Sequence, residues 1–137
     1  MSCELCSAFV NEKNRVIVND EHVFVVPIIE PIKEGHVMII PIRHAENLSD
    51  LTPDEAKSFL TAINRVMDAV KAAYGETPML LVNGWEYRSQ PHLHAHVLPS
   101  KTNLRGLYAA SEGIVGRNRA SVEELTAMAD KIRSFLV

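Results

Sequence analysis

The sequence predicts an α+β domain, a five-stranded antiparallel sheet carrying two main helices. Three observations lead there. Five short β-rich runs are joined mostly by turns rather than by repeated helical crossovers. Two segments carry complete helix start signals. The chain has 137 residues, the size of a single domain, so residues 1–137 are read as one folding unit.

The elements follow in order. Arg15 to Asn19 and His22 to Val26 flank Asp20-Glu21 as a hairpin. His36 to Ile42, entered through Gly35, is a third strand, and Met79 to Asn83 a fourth, closed by the Asn83-Gly84 turn signal. His92 to Leu98 is the fifth, stopped by Pro99. The long helix has Thr52 as N-cap, Pro53 in the first helical position, Glu55 closing a capping box and Gly75 past its end. Ala56, Phe59, Ile63, Val66 and Val70 give it one apolar face. A second helix begins at Ser121 with Glu124 completing its box, and Leu125, Met128, Ile132 and Phe135 are expected to point inward. Residues 99–120 read mostly as loop. A sheet this small leaves open edges, which predicts a homodimer.

Composition narrows the function. Apolar residues make up 47% and charged residues 23%, a globular balance. The runs Val23 to Ile29 and Val37 to Ile42 fall far short of the roughly 20 residues that span a bilayer, so no membrane association is expected. Met1 to Cys6 has no basic stretch followed by an apolar one, which points to a cytoplasmic location. A net charge of −3 argues against general nucleic-acid binding. Two cysteines are too few for a disulfide framework, leaving free thiols or a metal.

Histidine is the informative residue: the chain has six, and His92, His94 and His96 alternate. Alternation on a strand puts them in a row on one face, with Leu93, Ala95 and Val97 on the other. A solvated polar face is one reading. A metal site is another, although three imidazoles in a straight row cannot all meet one tetrahedral ion. The third is nucleophilic catalysis, in which a neutral imidazole attacks an electrophile while an acceptor holds its other nitrogen, and flanking histidines bind the substrate or protonate the leaving group. Phosphorus suits it, because a phosphoramidate is labile to water.

His92-Leu93-His94-Ala95-His96-Val97-Leu98 resembles the signature of the histidine-triad (HIT) family of nucleotide hydrolases and transferases. Gly35-His36-Val37-Met38-Ile39-Ile40-Pro41 is similar to the family's Gly-His strand, and His44-Ala45-Glu46-Asn47-Leu48 to the segment after it. The resemblance implies that His94 attacks the α-phosphorus of a dinucleoside polyphosphate or nucleoside phosphoramidate and forms a nucleotidyl-histidine that water hydrolyses. It implies that His96 and His36 contact phosphate oxygens or the leaving group, with Asn83, Ser89 and Gln90 as further phosphate-binding positions. Cys3-x-x-Cys6 resembles the cysteine pair of family members that bind structural zinc, which implies Cys3, Cys6, His44 and His92 as ligands; a redox pair or two idle thiols are the other readings of the motif alone.

The sequence departs from the family in places. Ile28 occupies the position of the ribose-binding acid, and Arg88 stands where a glutamine is common, with Gln90 displaced by two. Trp85 is a candidate to stack on a base or to plug the core edge, and Arg88 to pair with a phosphate or to remain a loop charge. Lys101, Arg105, Arg117 and Arg119 make the late loop basic, which suits a polyphosphate or is simply scattered surface charge. Two readings of other classes stand beside the enzyme: a noncatalytic nucleotide- or partner-binding module, and a protein whose only special chemistry is a structural zinc.

Overall fold

The structure is a computed structural model that describes residues 3–84, 87–116 and 118–136. Helix α1 spans Glu4–Asn11 and leads through a 3-10 turn at Lys13–Arg15 to strand β1 (Val18–Asn19). Strands β2 (Val23–Pro27) and β3 (Val37–Pro41) precede helix α2 (Pro53–Tyr74), after which come β4 (Pro78–Leu81) and β5 (Ala95–Pro99). Helices α3 (Leu104–Glu112) and α4 (Val122–Arg133) complete the chain. The five strands form one antiparallel sheet, as the sequence predicts, and their order is β1-β2-β3-β5-β4.

Strand alternation sorts the core into two faces. Val23, Val25, Val37, Ile39, Ala95 and Val97 turn to the α2 side, where they meet Phe59, Ile63, Val66 and Val70 of the predicted apolar stripe. Phe24, Val26, Met38 and Ile40 turn the other way and pack on Leu5 and Ala8 of α1. His96, between two α2-facing neighbours on β5, therefore belongs to the α1 side. Its register places Met38 on one flank and Leu81 on the other.

Helix α2 begins as predicted: the Thr52 hydroxyl accepts from Glu55 N–H while the Glu55 carboxylate accepts from Thr52 N–H, and Gly75 ends the helix in the left-handed region at φ 71°. Gly35 has φ 93°, and a Cβ there would lie 2.7 Å from the Tyr74 ring and 2.8 Å from Pro99, so both backbone and space require glycine. That close approach lets the turn before β3 press against the end of α2 and carry His36 into the sheet.

The chain divides into two compact units, Met1–Lys101 and Thr102–Val137. The first holds the sheet, α1 and α2. The second holds α3, which falls within the stretch read as loop, and α4. The expected inward placement is not observed: Leu125, Met128 and Ile132 of α4 are 52%, 52% and 64% exposed, and Phe135, which lies past the end of the helix, is 79% exposed. Helical periodicity identifies an apolar stripe without specifying what covers it.

Candidate functional site

Residues 92–94 depart from the paired strand read from the sequence, since β5 begins only at Ala95. Two hydrogen bonds accompany the departure. His92 Nε2 lies 2.8 Å from the Pro41 carbonyl and His94 Nδ1 lies 2.7 Å from the His92 carbonyl. A carbonyl only accepts, so each of these ring nitrogens carries the hydrogen and donates it. The other nitrogen of each neutral ring then holds a lone pair: Nδ1 of His92 and Nε2 of His94.

His36 is wired in the opposite sense. The Ile32 N–H donates to His36 Nδ1 at 3.2 Å, which makes that nitrogen an acceptor and puts the hydrogen on Nε2. His36 Nε2 lies 2.9 Å from His96 Nδ1, so it donates there and leaves the His96 hydrogen on Nε2. Burial keeps these rings neutral. It lowers His36 and His92 below the usual imidazole range, and it takes His96 down to about 4 with help from the nearby His94 and His36. One side-chain set thus presents a lone pair at His94 Nε2 and an N–H at His96 Nε2, on rings whose centroids are 5.0 Å apart.

Both histidines line a cleft of about 380 Å³ on the α1 side of the sheet. Ser89 and Gln90 line it too, with Gln90 donating to a Glu4 carboxylate oxygen at 3.2 Å. His36 is buried, is not among the described residues that line the cleft, and meets His96, which does. Asn83 is exposed after β4 and is not among the described residues that line the cleft, so the structure does not group it with the others. Arg88 donates to the Glu46 carbonyl, tying its loop to the segment after β3. Trp85 and Arg117 lie outside the described residues; Lys101, Arg105 and Arg119 are exposed. Arg15, Glu12 and Glu30 also line the cleft and were not found from sequence. No local motif marks them; pairing of β1 with β2 and the fold of α1 bring them there.

Beside the cleft, Cys3, Cys6, His44 and His92 place one ligand atom each within 4.8 Å of one another. His92 Nδ1 is 3.4 Å from both Cys3 Sγ and Cys6 Sγ, and His44 Nδ1 is 3.3 Å from Cys6 Sγ. With zinc–sulfur bonds of about 2.3 Å and zinc–nitrogen bonds of about 2.0–2.1 Å, a tetrahedral site has sulfur–nitrogen edges of about 3.6 Å, so the donor set fits such an ion. The outer partners fit as well. His92 Nε2 is held by the Pro41 carbonyl, and a Glu46 carboxylate oxygen lies 3.6 Å from His44 Nε2, each leaving Nδ1 to face the cysteines. Burial and the adjacent Cys3 push the Cys6 thiol upward, the condition a bound cation relieves. His44 is further fixed through Arg43, whose guanidinium donates to both Glu55 carboxylate oxygens at 2.8 Å and to the Asp50 carbonyl at 2.6 Å.

A family model for the HIT domain matches residues 10–103, more than half of the chain. The chain belongs to the HIT family. Its similarity extends to a bis(5'-nucleosyl)-tetraphosphatase (asymmetrical) of Schizosaccharomyces pombe, 30% identical over 76 residues, which are 53% of this chain and 42% of that protein. A bis(5'-adenosyl)-triphosphatase of Saccharomyces cerevisiae is 30% identical over 89 residues, 62% of this chain and 43% of the other. The chain thus spans less than half the length of these two curated HIT hydrolases. Among solved structures, a HIT family member from Bacillus subtilis superposes with a TM-score of 0.73 at 23% identity, covering 100% of this chain and 99% of that one, a likeness of fold.

Proposed function

We propose that the protein cleaves nucleotide conjugates, dinucleoside polyphosphates or nucleoside phosphoramidates, at the α-phosphorus through His94. The observation that carries this reading is the 2.7 Å hydrogen bond from His94 Nδ1 to the His92 carbonyl, which leaves Nε2 as a lone-pair nucleophile at the cleft. In the first step the His94 Nε2–phosphorus bond forms and the bond from phosphorus to the leaving group breaks, the electron pair departing with that group. The imidazole becomes cationic and the His92 carbonyl stabilises it. His96, kept neutral by burial, donates its Nε2 hydrogen bond to a phosphate oxygen or to the departing atom. Water then attacks phosphorus, its proton passes to solvent, and the phosphorus–nitrogen bond breaks to restore His94. Ser89 and Gln90 contribute polar contacts from the same wall, Asn83 approaches with substrate, and His36 holds the His96 tautomer.

Cys3, Cys6, His44 and His92 hold structural zinc in this reading, with all four positions taken by protein. Bound there, the ion ties α1 to the segments on either side of the catalytic histidines. The two units act as one HIT domain spanning residues 1–137. The chain works as a cytoplasmic homodimer on small nucleotide substrates, without general nucleic-acid binding. Strand β4 supports the dimer: it lies at the sheet edge, with Leu80, Leu81 and Val82 each 40–43% exposed. In addition, no helix among the described residues is long and apolar enough to cross a membrane.

Turnover of diadenosine tetraphosphate and adenosine phosphoramidate by wild type and His94→Ala tests the reading. Activity in the first and its loss in the second, with folding intact, is the expected result. A folded, zinc-loaded wild type that binds nucleotides and turns over neither substrate would instead establish a binding module.

A further inference from the structure

Arg15 is the one arginine or lysine among the described residues lining the cleft that holds His94 and His96. Its guanidinium is poorly served. Nε and Nη1 are buried without a hydrogen-bond partner, and Nη2 has only a 3.3 Å contact with a Glu12 carboxylate oxygen. The Arg15 side chain is 18% exposed and that of Glu12 is 43% exposed. Buried donors on a charged group are costly to leave unpaired, whereas a single half-exposed ion pair contributes little. The arrangement therefore favours an anion that draws the guanidinium from Glu12 and takes two of its donors at once.

Charge in the cleft points the same way. Glu4, Glu12 and Glu30 line it, and burial keeps His96 neutral. Without Arg15 this wall would repel phosphate. Position indicates which part of a ligand the guanidinium meets. Arg15 precedes β1 and His96 lies on β5, with β2 and β3 between them in the sheet. Three strand spacings, roughly 14 Å, separate β1 from β5, so the turn that carries Arg15 and the strand that carries His96 line the cleft from different parts of the sheet.

We infer that Arg15 binds a second phosphate of the nucleotide, distinct from the phosphorus that His94 attacks. The inference rests on the cleft being the nucleotide site proposed above. The second phosphate has two possible sources, a 2'- or 3'-phosphate on the ribose or a further phosphate in the 5'-chain. Both offer anionic phosphate oxygens to a planar pair of donors.

The test is calorimetric titration of the full chain with adenosine 5'-monophosphate, adenosine 2',5'-bisphosphate, adenosine 3',5'-bisphosphate and adenosine 5'-diphosphate. It uses wild type, Arg15→Gln and Arg15→Lys at one salt concentration. For wild type, at least one doubly phosphorylated ligand is expected to bind tenfold or more tightly than the monophosphate. Arg15→Gln is expected to abolish that ratio, and Arg15→Lys to keep part of it. A gain for either bisphosphate assigns the ribose source; a gain for the diphosphate alone assigns the chain. Equal binding of all four by wild type, or a preference that survives in Arg15→Gln, overturns the inference while leaving the nucleotide site intact. If folded wild type binds none of them, the monophosphate included, the nucleotide reading of the cleft falls and takes this inference with it. The wild-type ratio stands as a test even if a variant fails to fold.

Discussion

Acidification should destabilise this protein through His96 in a way that one substitution removes. In the folded chain the His96 imidazole titrates at about 4, because it is buried and faces His94 and His36, against an ordinary value of 6.5. The unfolded chain therefore binds more protons between those two values, and stability rises with pH across that window. Read downward, the loss begins as pH falls through 6.5 and is complete below 4. The linkage relation gives almost no effect at pH 7.5 and about 2 kcal/mol of destabilisation at pH 5 from this residue alone. Urea unfolding of wild type and His96→Asn at both pH values measures it, with matched metal content. Between pH 7.5 and 5 the wild type should lose about 2 kcal/mol more than the variant, because titrating groups away from His96 contribute equally to both, and His36 and His94, which contact it, add a smaller coupled change. Parallel losses in the two proteins would refute the assignment of a buried neutral His96, and with it the direction of the His36–His96 hydrogen bond.

Three further outcomes follow from other parts of the molecule. Gly35→Ala places a Cβ at φ 93°, 2.7 Å from the Tyr74 ring, so thermal unfolding should show a loss of about 2 kcal/mol or more, partly restored by adding Tyr74→Ala. Cys6→Ser removes a sulfur that lies within 3.4 Å of both histidine donors; metal analysis should find zinc below one per chain, and chelator should no longer shift the melting temperature as it does for wild type. Glu55, held down to about 2 by the Arg43 guanidinium, contributes stability that is present above pH 4.5 and lost as pH falls toward 2. Glu55→Gln should therefore flatten the acid limb of a melting-temperature profile while lowering stability at neutral pH.

Much of this architecture is legible in the residues because local rules and tertiary packing agree. Alternating Leu93, Ala95 and Val97 turn inward as the strand pattern requires, and the Thr52 box and Gly75 bound α2. Cys3-x-x-Cys6 acquires meaning only when His44 and His92 are set beside it, and the fold brings all four together. What escaped the sequence depends on distant partners. His92 and His94 lie before the paired part of β5, and their rings hydrogen-bond carbonyls at Pro41 and His92, which carry no sequence signal. Helix α1 is short and its N-cap Cys3 makes no capping hydrogen bond, so no start signal announces it. Arg15 reads as the first residue of a hairpin strand, whereas it ends a 3-10 turn ahead of β1 and lines the cleft wall. The α4 stripe shows the converse limit, a face that periodicity defines and burial does not follow.

His92 has two addresses. Its ring joins the cysteine cluster, while its main-chain carbonyl is the acceptor that sets the orientation of His94. A change at the ring therefore reaches the His94 imidazole through the intervening backbone. Exchanging the ion for one that prefers longer bonds would then leave the sheet, whose core lies on Val25, Ile39 and Val97, undisturbed and still tilt the His94 imidazole. Under the proposed function, turnover would respond to the identity of the ion more sharply than a melting curve would.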